Sequence, residues 1–330
     1  MDSTLSTASD DGHRHLKRLL RQGIVTFALL VSSVTAQAWP DRIVRIVTPT
    51  GAGGGSDTIA RTFAEIFSKR WGQAVVVENK PGADGILAVA DFLSARDGHT
   101  ILFGFTSIVT VNPLLHDKLP YDALRDIMPI SLAVDDFMTV AASPSLGVST
   151  LSELIDLARK KPDTLNYASV PGGGYFGIVD FQRANGIAMT FVPYRNPIAS
   201  ITDLMEGRIQ IAIMPLSIVL SHAQAGKLKL LAVASDNRAL AAPDVPTTAE
   251  MGAPRFKGLG GLGFFAPKDM PEKQRDFIAA EVATIVNQPQ MQERMIMLGY
   301  SPHSAPPKEF ETILAEQSAW YKSIAPERSQ

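Results

Sequence analysis

Thr48-Pro49-Thr50-Gly51-Ala52-Gly53-Gly54-Gly55-Ser56-Asp57 joins an apolar run, Ile43 to Val47, to an amphipathic stretch from about Thr58 to Trp71. This reads as strand, glycine-rich turn, helix, with Ser56 or Asp57 able to cap the helix. Lacking side chains at 53 to 55, the backbone amides can approach a ligand closely, and a helix start adds about half a positive charge facing it. The segment is therefore a candidate anion site; the plainer alternative is a tight turn with no ligand. Two nucleotide fingerprints fail. Ser56 stands where G-x-G-x-x-G requires glycine, and no Gly-Lys-Ser/Thr follows as in a phosphate-binding loop.

The same pattern continues outward. Ala74 to Val77 reads as a strand, Asn79 to Gly85 as a turn into a helix through Leu87, Ala90 and Leu93, and Thr100 to Phe103 as a third strand. An extended apolar segment, Phe137 to Ala142, marks a crossing to a second lobe. Thr150-Leu151-Ser152-Glu153 is a capping box opening a helix with apolar positions Leu151, Leu154, Ile155 and Ala158. Strands at Leu165 to Ala168, Met189 to Val192, Ile209 to Ile213 and Leu228 to Ala234 follow, separated by helical stretches. Gly261 to Pro267 reads as the return crossing. Glu272 to Asn287, Gln290 to Leu298 and Pro307 to Ser323 read as helices with no further strand. The expectation is an α/β protein of two mostly parallel-sheet lobes, the first from 39–141 plus 264–330 and the second from 142–263.

Residues 1–38 read as a cleavable export signal. Arg14, Lys17, Arg18 and Arg21 precede an apolar run from Ile24 to Val34, and Ala36-Gln37-Ala38 supplies the small-x-small pattern. That run is far short of the roughly 20 residues that span a bilayer. The remaining chain carries 27 Lys/Arg against 30 Asp/Glu, which offers no basic field for nucleic acid or acidic membranes. With no cysteine there is no disulfide, thiolate metal site, thiol nucleophile or cysteine-linked lipid.

A second glycine loop, Ser169-Val170-Pro171-Gly172-Gly173-Gly174, occupies the matching place in the second lobe. Two such loops at the carboxyl ends of two sheets would line one cleft with amide donors. Arg195, at a strand end in Val192-Pro193-Tyr194-Arg195-Asn196, suits a bidentate grip on a carboxylate; its alternative is a solvated surface arginine. Catalytic constellations are poor. His99, His116, His222 and His303 show no metal-ligand spacing, no G-x-S-x-G surrounds a serine, and neither Ser56 nor Ser169 has a histidine pattern beside it to make a hydrolase. Asp135-Asp136 reads as a solvated loop pair at the crossing. No enzyme activity, metal or cofactor is expected.

In several ordered blocks the chain resembles the substrate receptors of tripartite tricarboxylate transporters, the Bug or TctC-like family. These are Trp39 to Arg42, Pro49 to Asp57, Val75 to Ala83, Asp97 to Thr100, Asn112-Pro113, Leu165 to Ser169, Val192 to Arg195 and Pro243 to Glu250. The resemblance implies a two-lobed, type II-like periplasmic binding protein joined by two crossover strands. It further implies a monomer that closes on a small carboxylate and delivers it to membrane permease subunits; a sensor partner of a membrane signalling protein is the alternative. It implies that Thr50, Gly53, Gly54, Gly55, Ser56 and Asp57 hold a ligand carboxylate, and that Thr106, Ser107, Ser169, Gly172, Gly173 and Gly174 line the same cleft. Met214-Pro215 stands where many relatives carry Phe-Asp-Asn, which disfavours an amino-acid ligand. Tyr175-Phe176 and Met214 suggest a pocket for a flat aromatic acid, unless Phe176 and Met214 simply pack in the core.

Overall fold

Val44, Ile46 and Val47 are fully buried in β1 (Val44–Thr48), and the chain turns at the glycine loop into α1 (Gly55–Trp71). In α1 the buried Ile59, Ala60, Phe63, Ala64 and Phe67 form one helical face, and Gly72 ends it in the left-handed conformation at φ 67°. The computed structural model describes residues 39–194, 196–253 and 260–325, so the expected export signal lies outside the described residues. From α1 the chain runs through β2 (Val75–Asn79), α2 (Ile86–Ala95), β3 (Thr100–Phe105), the short α3 (Ser107–Thr110) and α4 (Asn112–Leu115), and β4 (Ile127–Asp135).

After only Asp136 and Phe137 it enters a second sheet with β5 (Met138–Ala142). Next come α5 (Leu151–Lys160), β6 (Asn166–Ser169), α6 (Gly173–Asn185), β7 (Thr190–Phe191), α7 (Ser200–Met205), β8 (Ile211–Pro215), α8 (Leu216–Gln224) and β9 (Lys229–Val233). The capping box of α5 forms: Glu153 N–H donates to Thr150 Oγ1 at 3.1 Å, while Glu153 Oε2 accepts from Ser149 N–H at 2.6 Å. β10 (Gly261–Pro267) then returns to the first sheet, followed by α9 (Glu272–Val286), α10 (Pro289–Met297), β11 (Ser301–Ala305) and α11 (Pro307–Ile324).

The first sheet has six strands in the order β11-β4-β10-β3-β1-β2, the second five in the order β7-β6-β8-β5-β9. Both belong to one compact unit beginning at Arg42. The expected parallel pairings are present between β1 and β2, β1 and β3, β6 and β7, and β6 and β8. Both sheets are nevertheless mixed rather than mostly parallel. β10 runs antiparallel to β3 and β4, and β5 antiparallel to β8 and β9. The cause is connectivity: a strand arriving from the other sheet enters at the end where the parallel strands finish, and so runs against them.

Two strands lacked a legible signal. Pro129 interrupts the run of β4, yet it is accommodated because β11 pairs only with Leu132 to Asp135, and the register to β10 shifts between Phe264 and Phe265, opposite Ser131 and Pro129. β11, Ser-Pro-His-Ser-Ala, is an edge strand fixed by its partner rather than by apolar alternation. Ser131 Oγ on β4 donates to Ala305 O at 3.0 Å. The aromatic rings of Phe63, Phe103 and Phe264 lock β10 into the sheet, with Phe264 4.8 Å from Phe103 and edge-on to Phe63 at 5.0 Å.

Candidate functional site

The first glycine loop is built differently from a capped turn. α1 begins at Gly55, three residues earlier than the spacing suggests, and Gly54 caps it with no side-chain bond. Asp57 is instead a buried brace. Its Oδ2 accepts from Gly53 N–H and Arg61 Nε, each at 2.9 Å, and its Oδ1 accepts from Asn79 Nδ2 at 2.7 Å. Asn79 also donates to Thr50 O at 3.0 Å, and Arg61 Nη2 donates to Asn79 Oδ1 at 2.8 Å. Burial opposes ionisation of Asp57, but the hydrogen bonds from Arg61, Gly53 and Asn79 prevail and hold its pKa below the usual aspartate value. The loop is thus pinned from behind, and its front is left to the cavity.

That front opens on a cavity of about 690 Å³ between the ends of the two sheets. Thr50, Gly54, Gly55 and Ser56 form one wall, and Thr106 and Ser107, where β3 passes into α3, extend it. The other wall comes from Val170, Pro171 and Gly173 ahead of α6 and from Pro215 and Ser217 at the start of α8. Asp136, Tyr300 and Tyr321 line it as well. Seven of the expected site residues are therefore brought together: Thr50, Gly54, Gly55, Ser56, Thr106, Ser107 and Gly173.

The others stand behind the wall or elsewhere. Gly53 and Asp57 form the brace just described. Gly172 takes φ 70° ahead of α6, and a Cβ there would lie 2.2 Å from Val111 Cγ1. A Cβ on Gly173 would lie 2.5 Å from the Tyr321 hydroxyl, and one on Gly174 2.9 Å from Val170 Cγ2. Gly172 and Gly173 are needed because there the two halves of the cavity approach closely, whereas Gly174 is constrained by its own neighbours Val170 and Ile213. Ser169 is buried, and its hydroxyl has no hydrogen-bond partner among the described residues. Tyr175 is half-buried, with its ring 5.1 Å from that of Phe191. Met214 is wholly buried in the second-lobe core with Ala141, Ile201 and Leu204, which is the packing alternative. Arg195 lies outside the described residues.

Asp136 overturns the solvated-pair reading of Asp135-Asp136: it is only 6% exposed and faces the cavity. Ser217 Oγ donates to its Oδ2 at 2.8 Å, and Ser217 N–H points at Oδ1 from 3.4 Å. Burial pushes its pKa up to about 7; the Ser217 bonds act against this and the charge of Asp135 adds to it. Asp135 itself accepts from His303 on β11 at 2.9 Å. No spacing rule finds Ser217 and Tyr300; a serine one residue into a helix after a strand was the single available hint. Among the described lining residues there is no lysine, arginine or histidine, and the charged ones are Asp84 and Asp136. No helix of the described residues is long and apolar enough to cross a membrane, and they contain no group of three or more histidine or acidic residues placed to hold a metal.

Comparison with known proteins agrees with this architecture. A UPF0065 protein of Bordetella bronchiseptica is 30% identical over 313 residues, covering 94% of this chain and 92% of that one. An R. palustris protein solved with adipate superposes with a TM-score of 0.79 at 27% identity, covering 87% of this chain and 97% of its own. MatC from Rhodopseudomonas palustris, solved with bound malate, gives 0.75 at 27% identity over 87% and 100%. Residues 59–329 match the profile of the tripartite tricarboxylate transporter family receptor, and the chain belongs to that family of two-lobed periplasmic binding proteins.

Proposed function

We propose that this protein captures a small di- or tricarboxylate, or an aromatic acid, in the periplasm and presents it to the membrane subunits of a tripartite transporter. The observation that carries the reading is the convergence of loops from both sheets, at 50–56, 106–107 and 170–173, on one cavity of about 690 Å³. That volume lies in the range of small-ligand sites, and amides at the start of α1 supply donors suited to an anion. The adipate- and malate-bound relatives support a small carboxylate as the ligand class. Contacts from both walls are what a ligand needs to favour a closed form, so we infer that the lobes hinge where the chain passes between sheets, around 136–137 and 260–261.

The rival reading as a hydrolase is disfavoured by the burial of Ser169 and by the absence of histidine from the described lining residues. Arg195 enters as a carboxylate partner on its sequence position alone. The test is a thermal-shift screen of adipate, malate, citrate and nicotinate, followed by calorimetry on the acids that stabilise. One or more should bind at micromolar concentration or tighter. Failure of all four, or turnover of a model ester, would replace the proposal.

A further inference from the structure

We propose that Asp136 takes up a proton when an anionic ligand enters the cavity, so that capture of a carboxylate is coupled to protonation of this one side chain. The inference rests on the receptor reading above and adds a regulation that nothing in the family comparison supplies. Asp136 lies in the two-residue passage between β4 and β5, buried yet lining the wall that a ligand must touch. Its own backbone N–H donates to Gly260 O at 3.0 Å, which fixes the side chain at the back of the cavity.

Among the described residues its charge has no cationic partner. From α8 it receives only the Ser217 hydroxyl and amide. From the residues ahead of β11 comes Tyr300, whose phenol is held neutral by burial. Gly260, just ahead of β10, and Gly261 in β10 line the same corner, and α1 contributes Ser56. Among the described residues, the charge that acts on it is that of the neighbouring Asp135, paired with His303 at 2.9 Å, with Glu309 3.9 Å beyond the histidine; Asp84, also lining the cavity, stands 3.1 Å from His116 Nε2. A carboxylate placed among these groups meets a second anion in the same poorly solvated space. Two like charges sharing one site are relieved when one of them binds a proton. In this case Asp136 is the group that yields, because burial has already brought its titration to about neutral pH. The proton comes from solvent, and as a neutral acid Asp136 gains an O–H that can donate toward the ligand.

The direction in pH follows. Below the free-state value Asp136 is protonated before and after binding, and affinity is flat. Above it, binding must import a proton, so affinity falls by up to about tenfold per pH unit until the liganded form titrates as well. Calorimetry with the tightest acid from the screen, at pH 8 in phosphate and in Tris, reads proton uptake from the difference in apparent enthalpy. Wild-type protein should take up between about half a proton and one proton per ligand. Asp136→Asn, which keeps the size and a hydrogen-bonding group for Ser217, should show no uptake and an affinity independent of pH from 7 to 9. His303→Gln should behave as wild type, which separates Asp136 from the neighbouring His303–Asp135 pair. Binding by the wild type with the same uncorrected apparent enthalpy in both buffers, whose ionisation enthalpies differ, overturns this inference and leaves the receptor reading standing. Loss of uptake in His303→Gln would do the same. Absence of binding by every acid overturns both.

Discussion

Replacing Asp57 with alanine tests the claim that this carboxylate holds the glycine loop rather than the ligand. The substitution removes three hydrogen bonds, from Gly53 N–H, Arg61 Nε and Asn79 Nδ2. Arg61 is half exposed and finds water when released, so its share is small. Gly53 is likewise on the surface, whereas Asn79 is half-buried and would be left with an incompletely satisfied amide. Counting about 1 kcal/mol for each of the two remaining bonds and about 1 more for the stranded amide gives a loss of about 2–3 kcal/mol. For a chain of this size that corresponds to a fall in Tm of roughly 3–5 °C.

Urea denaturation followed by circular dichroism at pH 7 reads the loss directly. Because the native pKa of Asp57 lies below its ordinary value, its contribution is complete above about pH 4 and disappears as the pH falls through the native value. The gap between wild type and variant should therefore be full at pH 7 and close under acid conditions. Ligand affinity should drop about tenfold, since the loop must then be ordered at the expense of binding. A Tm within 1 °C of wild type together with lost binding would refute the brace and return Asp57 to the ligand.

Two further expectations concern packing. Phe264→Ala removes the ring that meets Phe63, Phe67 and Phe103, and should cost about 3–5 kcal/mol in chemical denaturation; a loss under 1 kcal/mol would show that β10 is not held by this cluster. Gly173→Ala places a methyl 2.5 Å from the Tyr321 hydroxyl and should weaken ligand binding by about tenfold, of which Tyr321→Phe in the same chain recovers a part. Equal affinities for Gly173→Ala with and without Tyr321→Phe would remove that contact from the argument.

Most of the strand and helix pattern was legible because local signals agreed with the tertiary outcome. The apolar faces of α1 and α5, the glycine-bounded β3 and the crossing at Gly261 to Pro267 are cases where periodicity and turn chemistry point the same way. β4 and β11 escaped because each owes its pairing to a distant strand: a proline that is harmless only where β11 ends, and a polar edge that only β4 makes extended. In the site, glycine loops were legible since backbone access requires glycine. Asp136 was not, because two neighbouring aspartates look solvated until the crossing buries one of them against Ser217. Asp57 was recognised as part of the loop, but a sequence cannot tell a carboxylate that faces a guest from one that turns inward to its own backbone.

The place of β10 has a consequence for how the polypeptide reaches this state. It sits in the middle of the first sheet, with Leu262 opposite Phe105 on one side and Val134 on the other, so β3 and β4 have no partner between them until more than a hundred intervening residues have been synthesised. Long-range closure of this kind is slow and leaves apolar strand edges open meanwhile. A nascent chain ending before Gly261 should therefore be protease-sensitive and bound by chaperones until the rest of the polypeptide emerges.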